Sequence, residues 1–202
     1  MSPEDRRRVQ EAPIVAPPPG SVADLFAAAL PGIEMTPTQG VNDVILIINH
    51  DVAHSVLEAA KHHAGLRFDL LRNLSGVDNE DAGFEVVYHL YSFTHKHNVA
   101  IRARVSREDP HIQSVSDLWR AADWHEREAR DMFGIVFDGH PNLVPLLLPD
   151  DMLDHFPLRK DNPLAPLEEW QGEVLGPKMG EAGHIPPGSG FEVTPSAEVE
   201  EA

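Results

Sequence analysis

Between residues 99 and 105, Val99, Ile101, Ala103 and Val105 alternate with positions that carry Arg102 and Arg104. A period of two with apolar residues on one side is the pattern of a half-buried strand. The stretch before it, F-E-V-V-Y-H-L-Y-S-F at 84–93, pairs naturally with it across the polar connection T-H-K-H-N, which predicts an antiparallel hairpin. Upstream, D-V-I-L-I-I-N at 43–49 is short, aliphatic and β-branched, and reads as a buried strand. L-R-F-D-L-L-R-N-L-S-G has apolar residues at 66, 68, 70, 71 and 74 and reads as one more strand.

Helical spacing occupies the intervals. Ser21 is placed to cap S-V-A-D-L-F-A-A-A-L, which Pro31-Gly32 ends. Asp51 is placed to cap the next helix, where Val52, Val56, Leu57 and Ala60 share a face and Gly65 marks the stop. A third helical pattern runs from about Ser116 to Phe133. Strands and helices in this order predict an α+β fold, a mostly antiparallel sheet with helices packed on one face, followed by an extended C-terminal tail. The division expected is a flexible arm at 1–20, the α+β domain at 21–148 and an acidic docking tail at 149–202. Three consecutive prolines at 17–19 keep the arm from helix or central strand. In the tail, residues 165–202 hold eight acidic side chains and one lysine among scattered Gly and Pro, too few apolar groups to form a core.

Charge narrows the function classes. With 16 Lys and Arg against 33 Asp and Glu, the net charge is −17. That disfavours nucleic acid, whose binding draws on cationic side chains displacing counterions, and it disfavours direct contact with an anionic membrane surface. There is no cysteine, so disulfides, thiolate-bound iron–sulfur clusters and thiol catalysis in this chain are excluded. The longest aliphatic run, V-I-L-I-I, is far shorter than the roughly 20 residues of a bilayer span. The N-terminal M-S-P-E-D-R-R-R-V-Q lacks the apolar core of a signal peptide, and a cytosolic protein is expected.

Two features bear on chemistry. Twelve histidines, including His50/His54, His62-His63 and His95-x-His97, raise the option of a free-standing metal-dependent enzyme. A closed zinc site needs about four ligands, and no second half-site is recognisable by spacing, so surface histidines are the plainer reading. Phosphate-loop, dinucleotide and nucleophile-elbow patterns are absent. The second feature is W-H-E-R-E-A-R-D-M-F-G-I-V-F-D-G-H-P at 124–141, dense charge beside dense aromatics. Its carboxylates Glu126, Glu128 and Asp131 admit acid–base work, a solvated face with pairs such as Arg127–Asp131, or a docking surface. Arginine beside aromatics is the make-up of interface hot spots, and P-L-R-K-D-N-P-L at 157–164 adds Arg159, a residue able to grip a carboxylate through two parallel hydrogen bonds.

Taken together, these motifs with D-P-H-I at 109–112 and L-L-L-P-D-D at 146–151 resemble the 30-kDa subunit family of respiratory complex I, in bacteria the C subunit of NADH–quinone oxidoreductase. The family's E-R-E-x-x-D core falls on Glu126, Arg127, Glu128 and Asp131, its G-H-P on Gly139, His140 and Pro141, and its R-K-D on Arg159, Lys160 and Asp161. The resemblance covers about residues 107–164. It implies a scaffold subunit of the peripheral arm with no catalytic, cofactor-binding or metal-binding residues of its own. Its interface residues would be Glu126, Arg127, Glu128, Asp131, Phe133, His140, Pro141, Arg159, Lys160 and Asp161. Its partners would be the quinone-site subunit and the subunit with the terminal iron–sulfur cluster. Iron–sulfur clusters, FMN and quinone would lie in partner subunits. The chain would reach the cytoplasmic side of the bacterial plasma membrane only through the complex. Equivalent subunits of membrane-bound hydrogenases and other donor-fed complexes share the pattern. The sequence departs from the family at Val144-Pro145, where a basic residue is usual, at Asp154-His155-Phe156-Pro157, where a compact G-H-P is usual, and at Asn162, which replaces a common Tyr.

Overall fold

In β4 (Phe84–Ser92) and β5 (His97–Val105), side chains alternate between two environments, and that alternation organises the molecule. Val86, Tyr88, Leu90, Val99, Ile101 and Ala103 are fully buried on one side; Glu85, Arg102 and Arg104 stand on the other. The computed structural model describes residues 15–149, 152 and 155–162. The expectations for residues 1–14 and for the acidic stretch 165–202 lie outside the described residues.

The sheet has the order β1-β2-β5-β4-β3, with β1 at Thr36–Gln39, β2 at Val44–Asn49 and β3 at Leu70–Asp78. Neighbours are antiparallel throughout except β2 and β5, which run parallel with Val44 opposite Val99 and Ile48 opposite Ala103. The crossover between those parallel strands contains α2 (Ala53–His62), β3 and β4. This is the expected α+β fold with a mostly antiparallel sheet. The hairpin β4–β5 is as read from the sequence; β1 is an element that its short polar T-P-T-Q gave no reason to expect.

Helix α1 (Val22–Ala29), α2 and α3 (Ala122–Phe133) all contribute to one core with the buried sheet face. Phe26 of α1 stacks on Phe68 at 5.8 Å between centroids, and Val56, Leu57 and Ala60 of α2 are fully buried beside them. α3 lies against β3, where Gly76 makes room for the Phe133 ring: a Cβ there would sit 2.5 Å from it. Two expected caps differ. Ser21 precedes α1 without a side-chain cap hydrogen bond, and Asp51 sits inside a short 3-10 turn, His50–Val52, ahead of α2. The third helix also begins later than its periodicity suggested, because residues 116–121 are turns that carry Leu118 and Trp119 into the core. Leu66 and Phe68 are buried as expected, yet they precede β3, since Arg67 takes a left-handed φ of 44° and breaks the strand.

Two short strands, β6 (His111–Gln113) and β7 (Val136–Asp138), pair in parallel on either side of α3 in sequence. The folded body does not end near Leu148, as expected, but continues to Asn162. The Leu158 N–H donates to Met132 O at 3.2 Å and the Lys160 N–H to Asp78 Oδ2 at 2.9 Å, tying 155–162 to α3 and β3.

Candidate functional site

α3 presents two stripes. Ala122, Glu126, Ala129 and Phe133, at helical spacing, point inward and are buried. A carboxylate therefore stands in the middle of an apolar stripe. Glu126 Oε2 accepts the Ser114 hydroxyl at 2.6 Å, and Oε1 accepts the Val115 N–H at 2.7 Å. Burial pushes its pKa from 4.5 up to about 7 against the pull of these two donors, and the negative charges of Asp117 and Asp123 add to the rise. His140, whose imidazole is fully enclosed, accepts the Asn142 N–H on Nδ1 at 3.0 Å and so donates from Nε2 to Asp123 O at 3.1 Å. The Tyr88 hydroxyl is buried with no hydrogen-bond partner among the described residues.

The second stripe is Trp124, Arg127 and Asp131, of which Arg127 and Asp131 reach the loop 143–148. Asp131 Oδ2 accepts the N–H groups of Leu146, Leu147 and Leu148 at 2.7, 2.8 and 3.3 Å. Burial alone would raise this carboxyl, but the three backbone donors outweigh it and hold its pKa below the usual value. Arg127 donates from Nε to Val144 O and from Nη2 to Pro145 O, both at 3.0 Å, and lies over the Trp124 ring at 5.3 Å. With the loop tied from within, apolar side chains of the helix and the loop stand outward. Trp124 is 61% exposed, Leu147 59% and Val144 44%.

A third group surrounds the C-terminal end of α3. Gly134 ends the helix in the left-handed conformation, φ 73°, and a Cβ there would lie 2.5 Å from Arg159 Nη2 and 2.7 Å from the Phe156 ring. Arg159 donates from Nε to Phe133 O at 2.7 Å and lies over the Phe156 and Phe84 rings. Burial lowers its pKa. Asp78 accepts Arg107 Nη1 at 2.6 Å, the Glu80 N–H at 2.8 Å and the Lys160 N–H at 2.9 Å. Burial raises its carboxyl, but the hydrogen bond from Arg107 and the two N–H groups leave it lowered. Arg107 also reaches Asp161 at 3.0 Å, and Lys160 reaches Glu80 at 3.2 Å.

The ten residues expected at an interface thus divide. Glu126, Asp131, Phe133 and the His140 ring are enclosed in the chain's own interior, because backbone N–H groups, a serine hydroxyl and the core claim them. These four side chains are turned to the chain's own groups and not to solvent. The pair Arg127–Asp131 expected along the helix is not formed; both side chains cross to the loop instead. Glu128, Pro141, Lys160 and Asp161 are exposed, and Arg127 and Arg159 are half-buried. Trp124, Leu147, Ser114, Asp78 and Arg107 were not singled out from sequence. For Trp124 the signal was present: it falls opposite the Ala122–Glu126–Ala129 stripe.

His54, His95 and His97, from the histidine pairs noted in the sequence, are held elsewhere. His54 meets Asp117 at 3.0 Å, His95 Nε2 the Ala64 carbonyl at 3.0 Å and His97 Nε2 the Leu66 carbonyl at 2.9 Å. Among the described residues, no group of three or more His, Asp and Glu is arranged to hold a metal ion. Nor is any helix among them long and apolar enough to cross a membrane.

Comparison with known proteins bears on the same region. Residues 46–168 match the family described as the respiratory-chain NADH dehydrogenase 30-kDa subunit. The chain is 47% identical over 114 residues to the NADH-quinone oxidoreductase C subunit of Chloroherpeton thalassium, a match covering 56% of this chain and 47% of that protein. It is 41% identical over 139 residues to the protein of the same name from Roseiflexus castenholzii, covering 68% of this chain and 79% of that one. The chain thus spans about half the length of the first relative and most of the second. A chain of the membrane-bound sulfane sulfur reductase, an archaeal respiratory membrane complex, has the same fold with a TM-score of 0.63, 22% identity and coverage of 76% of this chain and 89% of that one.

Proposed function

This chain belongs to the 30-kDa subunit family of the respiratory-chain NADH dehydrogenase, and from that membership we propose that it is a non-redox scaffold subunit of the peripheral arm of a proton-pumping NADH–quinone oxidoreductase. It docks beside the quinone-site subunit and the subunit holding the terminal iron–sulfur cluster, on the cytoplasmic side of the bacterial plasma membrane. The redox groups, iron–sulfur clusters, FMN and quinone, belong to its neighbours.

The observation that carries this reading is the platform on α3. Trp124 on α3 is exposed to solvent, and beside its helix a loop fixed by Asp131 and Arg127 displays Val144 and Leu147. Side chains whose backbone is already immobile lose less freedom on association, and a tryptophan, an arginine and a leucine together make an interface centre. The R-K-D segment sits at the other end of the helix, with Arg159 anchored on Phe133 O while Lys160 and Asp161 remain exposed.

The test is Trp124→Ala combined with Leu147→Ser. Both side chains are mostly exposed, so the chain should keep its fold, changing stability by about 0.5 kcal/mol or less. Purification through a tag on a neighbouring subunit should then recover complex lacking this chain, with NADH–quinone reductase activity reduced about tenfold or more. A fully assembled and fully active complex from that double variant would show the platform not to be the docking surface.

A further inference from the structure

We infer that the face of the sheet turned away from the helices is a second docking surface, for a partner segment that sets aliphatic side chains against the half-buried Ile45 and Ile47 and carboxylates against Arg102 and Arg104. This rests on the subunit reading above and adds a surface distinct from α3.

Three observations point there. First, no described helix packs on that face: α1, α2 and α3 all contribute to the core on the opposite one. Second, its centre is the parallel pair β2–β5, with Ile45 opposite Ala100 and Ile47 opposite Arg102. Parallel strands are rarely left open to water, and β-branched aliphatics at the outward positions of such a pair suit a covered surface. Third, the charge there is opposite in sign to the chain's. Arg102 and Arg104 share the single carboxylate of Glu85, at 3.9 and 3.8 Å. The Arg102 Nε is buried and has no hydrogen-bond partner among the described residues. Two guanidiniums facing one carboxylate at that range keep donors for further acceptors. In a chain of net charge −17, an outward arginine pair on an aliphatic floor is complementary to a segment that is aliphatic and acidic.

The experiment is hydroxyl-radical footprinting of the wild-type chain, alone and in the purified complex. Ile45 and Ile47 should oxidise readily in the isolated chain and about fivefold more slowly in the complex, as expected for a desolvated interface centre. A photo-crosslinking side chain at position 47 should join a neighbouring subunit at a peptide containing Asp or Glu beside aliphatic residues. Arg104→Glu, at a mostly exposed position, should weaken retention of the chain in the complex at raised salt, whereas Trp124→Ala weakens it through the other surface. Equal oxidation in the two states overturns the inference and leaves the α3 platform standing. Protection already present in the isolated chain, or a crosslink to a second copy of it, overturns it too. Absence of the chain from any complex overturns both readings.

Discussion

The carboxylate of Asp131, on α3, accepts the N–H of Leu147 at 2.8 Å, and an acid whose charge would assign it to the surface is thereby the post around which a loop is wound. Asp131→Ala leaves three N–H groups without their acceptor. Hydrogen bonds to a charged group contribute about 1.5–3 kcal/mol each at most, and water recovers part of that, so a loss of about 3 kcal/mol is expected. Urea unfolding gives the total, and hydrogen exchange at Leu146 to Leu148 should accelerate more than exchange in β4.

Glu126 gives a pH dependence of definite sign. Its pKa is raised by folding, from 4.5 to about 7, so between those values the folded chain binds more protons than the unfolded one. The stability linked to this group is complete below pH 4.5 and is lost as pH rises through about 7. The size is about 3 kcal/mol. Asp78 and Asp131 act oppositely, since their lowered pKa values make stability fall as pH drops through the acid range. Glu126→Gln should flatten the decline between pH 5 and 7.5 and leave the acid limb intact, measured by urea unfolding at steps of pH. An unchanged slope in the Gln variant would remove Glu126 as its source.

Gly134→Ala should loosen the segment 155–162. The left-handed φ of 73° and the 2.5 Å approach to Arg159 both oppose a methyl group. Strain and displacement together are expected to cost about 2–4 kcal/mol. Trypsin should cut after Arg159 or Lys160 in this variant well before it cuts the wild type.

Gly76→Ala should lift α3 from β3, because the new methyl meets the Phe133 ring at 2.5 Å. Overpacking of this kind costs about 1–3 kcal/mol. Adding Phe133→Leu should recover part of the loss, and a double-mutant cycle by urea unfolding measures the coupling. Strict additivity would show that the two residues do not meet.

The sequence made the sheet centre legible because period-two alternation at 99–105 follows from burial on one side, whatever the partners are. It also made α2 legible, through Val56, Leu57 and Ala60. It did not reveal β6 and β7, three residues each, whose partners lie more than twenty positions apart. The site was legible as a stretch and misread in its parts. Glu126 and Asp131 look like surface acids because local spacing shows only their helical neighbours, and Arg127 at i−4 is an obvious partner for Asp131. Their actual partners, Ser114, Val115 and Leu146 to Leu148, lie on other segments, and all but the Ser114 hydroxyl are backbone donors, which leave no mark in side-chain chemistry. The position of Glu126 on the Ala122–Ala129–Phe133 stripe was the available clue, an acid where the helix is otherwise apolar.

Asp131 grips the loop through main-chain nitrogens, which every residue but proline supplies. The mount is therefore indifferent to what it mounts. Leu147, the most exposed of the three, can be exchanged for other side chains while the hydrogen bonds that set the path of the chain are kept, so a surface it offers can change while its frame keeps the same shape. Recognition and architecture, adjacent in space, are free to evolve at different rates.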